Sequence, residues 1–297
     1  MDKLRALQTF VAIVDRGSLT AAAEALGSSL PAVVRTLAGL EAMLGVRLIN
    51  RTTRRLALTE DGRQYLEHVR RIVADIDEAE RALSNRQVEP SGTLNVTAPV
   101  LFGERHVAPA VTRFLQRHPQ MRVKLVLLDR IVNLVEEGLD LGVRIGHLQD
   151  STLVAQAVGR VRRVVVASPA LLRRHGTPQH PRELAAAPCV HGSGTVGNAW
   201  TFRDKDGGRS FRVAVQGSLE CNLVAPLLDA CAAGLGFAQC LSYQAAPLVQ
   251  ARRLRIVLAG YEVEPWPVSL TYPSARLLPS RARVFIDWMR GALSAVA

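Results

Sequence analysis

With 297 residues, 48% of them hydrophobic and 21% charged, the chain is long enough for two or three domains, and its composition excludes an intrinsically disordered protein. The formal net charge of +11 does not itself indicate nucleic-acid binding, because residues 1–90 hold 13 basic against 12 acidic side chains and the excess lies in the rest. No apolar run could span a bilayer and no signal-type segment opens the chain, so we expect a cytoplasmic protein without membrane contact.

Three helices are predicted in the first 45 residues. Apolar residues recur at helical spacing from Leu4 to Val14. The stretch Ser18 to Gly27 predicts a short second helix, because serine caps free N–H groups and glycine favours a helix end. A third helix runs from Ser29 to Gly45, with Pro31 in its first turn, where a missing N–H costs nothing.

The third helix has two faces of different character. An apolar stripe that must face a core is formed by Val33, Leu37, Leu40 and Leu44. The opposite face carries Leu30, Pro31, Val34, Arg35, Ala38 and Ala42. A narrow surface with one long cation near its N-terminal end is typical of a helix that reads a DNA groove, which favours a helix-turn-helix. An ordinary helical hairpin within a core is the alternative that this stretch leaves open.

A short hairpin is predicted directly after the third helix. Its strands are Leu48 to Asn50 and Leu56 to Leu58. Its tip consists of Arg51, Thr52, Thr53, Arg54 and Arg55. Three cations and two hydroxyls suit phosphate contacts, so we interpret the hairpin as a wing; a solvated charged turn is the alternative.

These segments resemble a known family. The residues that carry the likeness are 10–26, Pro31-Ala32-Val33, Leu40-Glu41, 47–51, Leu58-Thr59 and Gly62. They are similar to the N-terminal domain of LysR-type transcriptional regulators, which implies a winged helix-turn-helix that binds double-stranded promoter DNA. We expect the DNA contacts to come from Ser18, Thr20, Ser29, Leu30, Pro31, Ala32, Val34, Arg35, Arg51, Thr52, Thr53, Arg54 and Arg55.

Two positions depart from the family pattern. Leu30 and Val34 stand where relatives usually carry glutamine and serine on the reading face. An amide-to-adenine contact from residue 30 is therefore impossible, whereas an aliphatic side chain can still contact a thymine methyl group. More of the recognition is left to phosphate contacts and DNA shape.

A long helix is predicted from Glu60 toward Ser84, with Thr59 as its cap. Apolar residues at heptad spacing predict a seam made of Leu66, Val69, Val73, Ile76 and Leu83. Because a single helix would leave this seam in water, we expect a homodimer through it, or a homotetramer built on such dimers, as the resemblance also implies. The predicted divisions are a DNA-binding domain over 1–59, a linker helix and hinge over 60–91, and an effector domain over 92–297.

From residue 92 the pattern changes to alternating strands and helices. Predicted strands are Thr93 to Ala98, Arg122 to Leu128, Leu141 to Ile145, Arg163 to Ser168, Phe211 to Ser218, Phe237 to Leu241 and Val268 to Tyr272, and predicted helices include Glu104 to His118, Val132 to Glu137, Leu223 to Ala233 and Ala282 to Leu293. This order predicts an α/β domain with mostly parallel sheets. We expect two lobes: lobe I from 92–162 and 266–297, and lobe II from 163–265.

The same region carries loose motifs in a recognisable order. They are residues 136–140, Arg144-Ile145-Gly146, Ala167-Ser168-Pro169 and Gly234-Leu235-Gly236. Together they look like the periplasmic-binding-protein-like effector domain of LysR-type regulators. The resemblance, and the tendency of ligands to bind at the carboxyl ends of strands, point to a pocket formed by Thr97, Pro99, Val100, Leu101, Phe102, Arg144, Ile145 and Asn222. Because several of these are apolar, we expect an aromatic or aliphatic effector; plain core packing is the alternative.

The sequence gives no clear indication of a nucleotide, metal or catalytic site. Gly192 to Gly197 fits a phosphate-loop pattern only formally, because no obvious helix follows it. Histidines and cysteines lack zinc-ligand spacing and no catalytic constellation is recognisable, so we predict no metal, no cofactor and no enzyme.

The four cysteines lie in apolar surroundings, which suits a reducing cytoplasm. Cys221, beside Asn222, leaves a redox-responsive regulator open as an alternative. A solute-binding module is a second alternative, which the missing signal segment disfavours. We therefore interpret the chain as an effector-modulated DNA-binding regulator, with RNA polymerase as a further partner.

Overall fold

The computed structural model describes residues 2–52, 55–83, 89–147, 153–193, 198–205, 208–273 and 278–294. For residues 51, 52, 55, 71, 75 and 77–83 it describes the backbone alone. Residues up to Gly92 form one compact unit, and those from Thr93 onward form a second. None of the described helices combines the length and apolar character needed to cross a lipid bilayer.

The N-terminal unit is built from helices and one hairpin. In chain order these are α1 (Lys3–Arg16), α2 (Leu19–Ala25), α3 (Leu30–Leu44), β1 (Ile49–Thr52), β2 (Arg55–Leu58) and α4 (Glu60–Leu83). The predicted helix starts are confirmed, because Ser18 Oγ accepts the N–H of Ala21 and Ser29 Oγ accepts the N–H of Ala32. Gly45 ends α3 in the left-handed conformation that glycine adopts without strain. β1 and β2 pair antiparallel, as expected of a wing.

A small shared core holds these elements together. Its fully buried members include Phe10, Ile13, Leu37, Leu40 and Leu48. The predicted stripe of α3 therefore faces the core, and only Leu44 at its end is partly exposed. Truncating one of these large side chains to alanine typically lowers the free energy of unfolding by roughly 2–5 kcal/mol. The cluster therefore stabilises the packing of α1, α3 and the wing.

The second unit contains two five-stranded sheets and a separate hairpin. Its strands are β3 (Gly92–Ala98), β4 (Met121–Leu127), β5 (Leu141–Ile145), β6 (Val154–Val161), β7 (Arg163–Ala167), β8 (Pro188–Gly192), β9 (Ala199–Arg203), β10 (Ser210–Ala214), β11 (Gln216–Cys221), β12 (Phe237–Leu241), β13 (Arg255–Val257) and β14 (Trp266–Tyr272). The sheet orders are β4-β3-β5-β14-β6 in lobe I and β11-β8-β12-β7-β13 in lobe II.

Helical segments cover these sheets. They are α5 (Val100–Phe102), a π-helical turn (Gly103–Val107), α6 (Ala108–Arg117), α7 (Pro169–His175), α8 (Val224–Ala232), α9 (Ser242–Gln250), α10 (Ser280–Leu293) and 3-10 turns at Pro181–Ala185 and Ala259–Tyr261. The two-lobed α/β architecture expected from the sequence is confirmed.

The sheets are mixed, so the expectation of mostly parallel sheets is wrong. β3 pairs parallel with β5, and β8 pairs parallel with β11 and β12. In lobe I, β14 runs antiparallel to β5 and β6. The chain leaves lobe I at the end of β6 and returns at the start of β14, where Trp266 pairs with Val161, and this return imposes the opposite direction.

Three predicted segments also differ. The helix expected from Glu104 begins at Val100. Residues 134–138 form turns instead of a helix, because the Asn133 side chain accepts the N–H of Val135 and competes with helical pairing. The strand expected from Phe211 to Ser218 is interrupted at Val215, whose N–H donates to the carbonyl of Asn198.

The chain crosses between the lobes twice, at Arg162 and over residues 262–265. Arg162 Nη1 lies 3.5 Å from Glu262 Oε2. The guanidinium carbon of Arg163 lies 3.7 Å from the centre of the Trp266 ring, a cation–π distance. The two crossings are therefore joined by an ion pair and a stacked pair.

Candidate DNA interface and effector site

The face of α3 predicted to read DNA is largely exposed. Pro31, Arg35, Ala38 and Ala42 are exposed. Leu30 is 42% exposed, whereas Val34 is half-buried. Leu30 is therefore the better placed of the two aliphatic residues to contact a thymine methyl group.

Hydroxyl groups flank this face. Ser18 Oγ lies 3.0 Å from the N–H that it caps, and Ser29 Oγ lies 3.4 Å from its own partner. Each hydroxyl accepts in its cap and still has a hydrogen to donate to a phosphate oxygen. Thr20 is exposed on α2, and Ala32 is half-buried on the side of α3. The DNA contacts of these four residues stay predictions.

The base of the wing is held by a carboxylate that the sequence reasoning did not select as a site residue. Glu41 Oε1 accepts the N–H of Leu48 at 2.8 Å and that of Ile49 at 3.1 Å. Glu41 therefore fixes where β1 leaves α3. In the sequence, Glu41 stands out only as the one acidic residue of α3. Residue spacing alone could not connect it to Leu48 and Ile49, seven and eight residues later. Thr53 and Arg54 lie outside the described residues, and Arg51, Thr52 and Arg55 are described as backbone only.

The wing also lies against the start of α4. Gly62 donates its N–H to Thr59 Oγ1 at 2.9 Å, and Thr59 Oγ1 donates to the carbonyl of Arg47 at 2.7 Å. A Cβ at position 62 would lie 2.0 Å from the carbonyl oxygen of Leu48, far inside van der Waals contact. Only glycine permits this approach of backbone to backbone.

Two of the predicted seam residues of α4 are buried in the core of their own chain. Leu66 and Val69 are 7% and 0% exposed, and both belong to the core shared with α1 and α3. Assigning them to a dimer seam is therefore wrong, because the same chain already buries them. Val73 packs partly on that core, whereas Ile76 is half-buried and Ile72, which the prediction omitted, is 46% exposed.

The predicted effector residues of lobe I lie at one edge of its sheet. Thr97 pairs with Gly142, so Pro99 and Arg144 follow at neighbouring carboxyl ends of β3 and β5. Val100 and Leu101 are half-buried in the first helical turn. Because this turn starts at Val100, the main-chain donors at its beginning come from residues 100–102.

Phe102 is an exception among the predicted pocket residues. It is fully buried in the lobe I core, with ring centroids 4.8 Å from His106 and 5.1 Å from Tyr243. Arg105 Nη1 donates to the carbonyls of Tyr243 and Gln244 beside this cluster. Phe102 is therefore a packing residue, and assigning it to the pocket is wrong.

Two polar groups near this edge are buried without a hydrogen-bond partner among the described residues. They are Thr97 Oγ1 and Arg144 Nη2. Burial lowers the pKa of the Arg144 guanidinium from its ordinary value, although nearby Glu137 opposes this effect. Ile145 packs partly on the lobe I core, and Asn222 is exposed at the end of β11 in lobe II.

A carboxylate of the same chain caps the helical turn that follows β3. Asp129 Oδ1 accepts the N–H of Val100 at 2.9 Å. The segment after Asp129 is tied down by Arg130, which donates to both carboxylate oxygens of Glu137 at 2.7 and 2.9 Å. Sequence reasoning missed Asp129, because nothing local connects it to a residue 29 positions earlier.

The cysteines differ in their availability for chemistry. Burial raises the pKa of Cys189, Cys231 and Cys240 to about 12, so each is a protonated thiol at neutral pH. Cys221 is partly exposed, and its sulfur lies 3.8 Å from Asn222 Oδ1. In the formal phosphate-loop pattern, Gly192 ends β8, and residues 194–197 lie outside the described ranges.

Comparison with known proteins identifies the family. Residues 4–63 match the model of the bacterial regulatory helix-turn-helix proteins of the lysR family, and residues 87–294 match the LysR substrate binding domain. An HTH-type transcriptional repressor of Pseudomonas aeruginosa is 34% identical over 290 residues, which cover 97% of this chain and 92% of that protein.

Solved structures agree over the full length. CrgA, a LysR-type transcriptional regulator from Neisseria meningitidis, is 32% identical, with a TM-score of 0.62 and coverage of 97% of this chain and 98% of that chain. The virulence activator AphB of Vibrio cholerae shares the fold, with a TM-score of 0.63 at 24% identity over 98% of this chain and 99% of that one. The chain belongs to the LysR family of bacterial DNA-binding transcriptional regulators, with a winged helix-turn-helix followed by a substrate-binding effector domain.

Proposed function

We propose that this regulator reads promoter DNA with the exposed face of α3, contacts phosphates with the wing, and responds to a small ligand bound at the strand ends of lobe I. Support for the first part comes from the exposed, cation-bearing face opposite the buried stripe of α3. We place its action in the cytoplasm, where bacterial promoters are accessible, with RNA polymerase as a further partner.

Arg35 is the proposed base-reading residue, and its replacement tests the division of labour. Arg35→Ala should reduce discrimination between the cognate site and random duplex by about 1–3 kcal/mol, because a lost base contact affects only the correct sequence. Arg54→Ala should instead weaken both complexes alike and lower the salt slope by about one. Fluorescence anisotropy titrations on both duplexes measure this; equal losses at both variants on every sequence would contradict the proposal.

The proposed ligand is an aromatic or aliphatic molecule with an uncharged polar group, and Asp129 carries this proposal. Its carboxylate already accepts the Val100 N–H, so a carboxylate ligand would have to displace it and face its charge. A hydroxyl or amide can donate to exposed Asp129 and offer an acceptor to Arg144 Nη2, which lacks a partner among the described residues. Half-buried Val100 and Leu101 supply apolar contact.

A matched ligand series tests this proposal. With benzyl alcohol, benzamide and benzoate, or the corresponding hexyl compounds, we expect the alcohol or amide to raise the melting temperature of the full chain by several degrees. A ligand at 100 times its Kd stabilises by about 2.7 kcal/mol. Asp129→Asn keeps the helix cap and should admit the carboxylate. Glu136→Gln removes the same charge from an exposed position seven residues later in the chain and should not admit it. A wild-type protein stabilised most by the carboxylates would contradict the proposal.

Self-association is the remaining part of the proposed function. Ile72 and Ile76 stand one helical turn apart on α4, and neither belongs to the core of its own unit. We propose that this pair, with Val73 and Leu83, packs against a second copy of the chain. A dimer presents two reading helices to two half-sites and thereby multiplies the affinity for paired sites.

A further inference from the structure

A polar groove runs along the side of α3, next to the surface assigned to DNA from the sequence, and shares Ala32 and Arg35 with it. It encloses about 720 Å³ between the first turns of α1, the turn before α3 and one flank of α3. The polar side chains that line it are Asp2, Arg5, Gln8, Thr9, Ser28, Arg35 and Thr36, of which Thr9 is buried and donates its hydroxyl to the Arg5 carbonyl. Arg35 stands at its border with the reading face.

The groove lies across α3 from the wing. At 3.6 residues per turn, Ala32 and Thr36 lie roughly 140–180° around the helix axis from Glu41, which holds the base of the wing. Proceeding around α3, one meets the wing flank, the reading face and the groove, and then the buried stripe. A helix inserted in a major groove has a phosphate backbone on each side, so the wing and this groove would each face one strand.

The chemistry of the groove suits a phosphodiester. Arg5 is exposed, and its guanidinium forms no ion pair with the described residues. Gln8, Ser28 and Thr36 add an amide and two hydroxyls, all neutral hydrogen-bond donors. The one acidic group, Asp2, uses Oδ1 to accept the N–H of Arg5 at 3.2 Å as the cap of α1.

We propose that this groove receives the sugar–phosphate backbone of the DNA strand opposite the wing, and that Arg5 neutralises one of its phosphates. The inference rests on DNA binding by this regulator and adds a second, sequence-independent contact to it. Such a contact compensates for the aliphatic Leu30 and Val34, which leave the reading face short of hydrogen-bonding groups.

Three single substitutions test the groove on random-sequence duplex, where phosphate contacts dominate. With Arg5→Ala, we expect affinity at about 0.1 M salt to fall roughly threefold to tenfold, and the slope of log K against log salt to decrease by about one per bound chain. Arg16→Ala removes the same charge from the exposed far end of α1, about 16 Å away, and should leave the slope unchanged. Asp2→Asn keeps a good cap, removes the negative charge and should tighten binding.

The outcomes separate the groove from DNA binding itself. Circular dichroism first confirms that each variant melts as the wild type does. Three results would contradict the proposed role of the groove while leaving DNA binding intact. They are an unchanged salt slope in Arg5→Ala, equal losses of affinity in Arg5→Ala and Arg16→Ala, and weaker binding by Asp2→Asn. Failure of the wild type to bind any duplex at low salt would overturn both.

Discussion

Gly62→Ala is expected to disable the N-terminal domain. The added Cβ would lie 2.0 Å from the Leu48 carbonyl oxygen and 2.9 Å from its carbon, and both belong to the backbone. Backbone cannot rotate aside as a side chain can, so α4 and the base of the wing must separate. Leu48 is fully buried and is held by Glu41, so the movement also disturbs the core. We expect a loss of about 3 kcal/mol or more, at the upper end for overpacking, and a more than tenfold loss of DNA affinity.

Calorimetry and DNA titration measure this effect, and the chain offers a matched control. Gly291 also lies within a helix, α10, but a Cβ there would meet nothing within 4 Å. Gly291→Ala should therefore be neutral or stabilising by about 0.5–1 kcal/mol, because alanine loses less backbone freedom on folding. A Gly62→Ala protein that melts and binds DNA like the wild type would refute the close approach.

Replacing both Ile72 and Ile76 with aspartate is expected to convert the protein to monomers. Two carboxylates would enter an apolar contact without partners, and burying each unpaired charge costs several kcal/mol. We expect the dimer dissociation constant to rise at least about a hundredfold and binding to paired half-sites to fall with it. Analytical ultracentrifugation across a concentration series provides the measurement.

Two control substitutions on the same helix distinguish a lost dimer contact from a general effect of the added charge or from unfolding. Gln64→Asp adds a carboxylate at an exposed polar position and should leave association unchanged. Val69→Asp should instead unfold the N-terminal domain, because Val69 is fully buried within one chain. An Ile72/Ile76 variant that stays folded and sediments as the wild type would reject this surface as the dimer contact.

The local features of the N-terminal domain could be predicted, because their causes are local. Capping by Ser18 and Ser29 depends on residues three positions apart, and the apolar stripe of α3 depends on helical spacing. The assignment of Leu66 and Val69 to the dimer seam was wrong, and the rest of the seam stays a prediction, since heptad spacing identifies an apolar face without saying whether the same chain or a partner covers it. Leu66 and Val69 are covered by their own chain.

The surroundings of the candidate effector site were less predictable, because they depend on contacts between distant segments. Val100 is bonded to Asp129, and Phe102 packs on Tyr243 from the other lobe, contacts that no periodicity encodes. The sequence placed Phe102 in the predicted pocket together with Val100 and Leu101, because all three are apolar and follow the same strand. Only tertiary packing distinguishes it from Val100 and Leu101.

The stacked Arg163 and Trp266 set a threshold for any motion of the lobes. A desolvated cation–π pair is worth about 2 kcal/mol, and burial here is sufficient to lower the pKa of Arg163 to about 10. A rotation of one lobe against the other at the two segments that join them would separate the indole from the guanidinium and lose this interaction energy. An inducer that works by such a twist must therefore prefer the rearranged form by more than about thirtyfold, since 2 kcal/mol corresponds to that ratio.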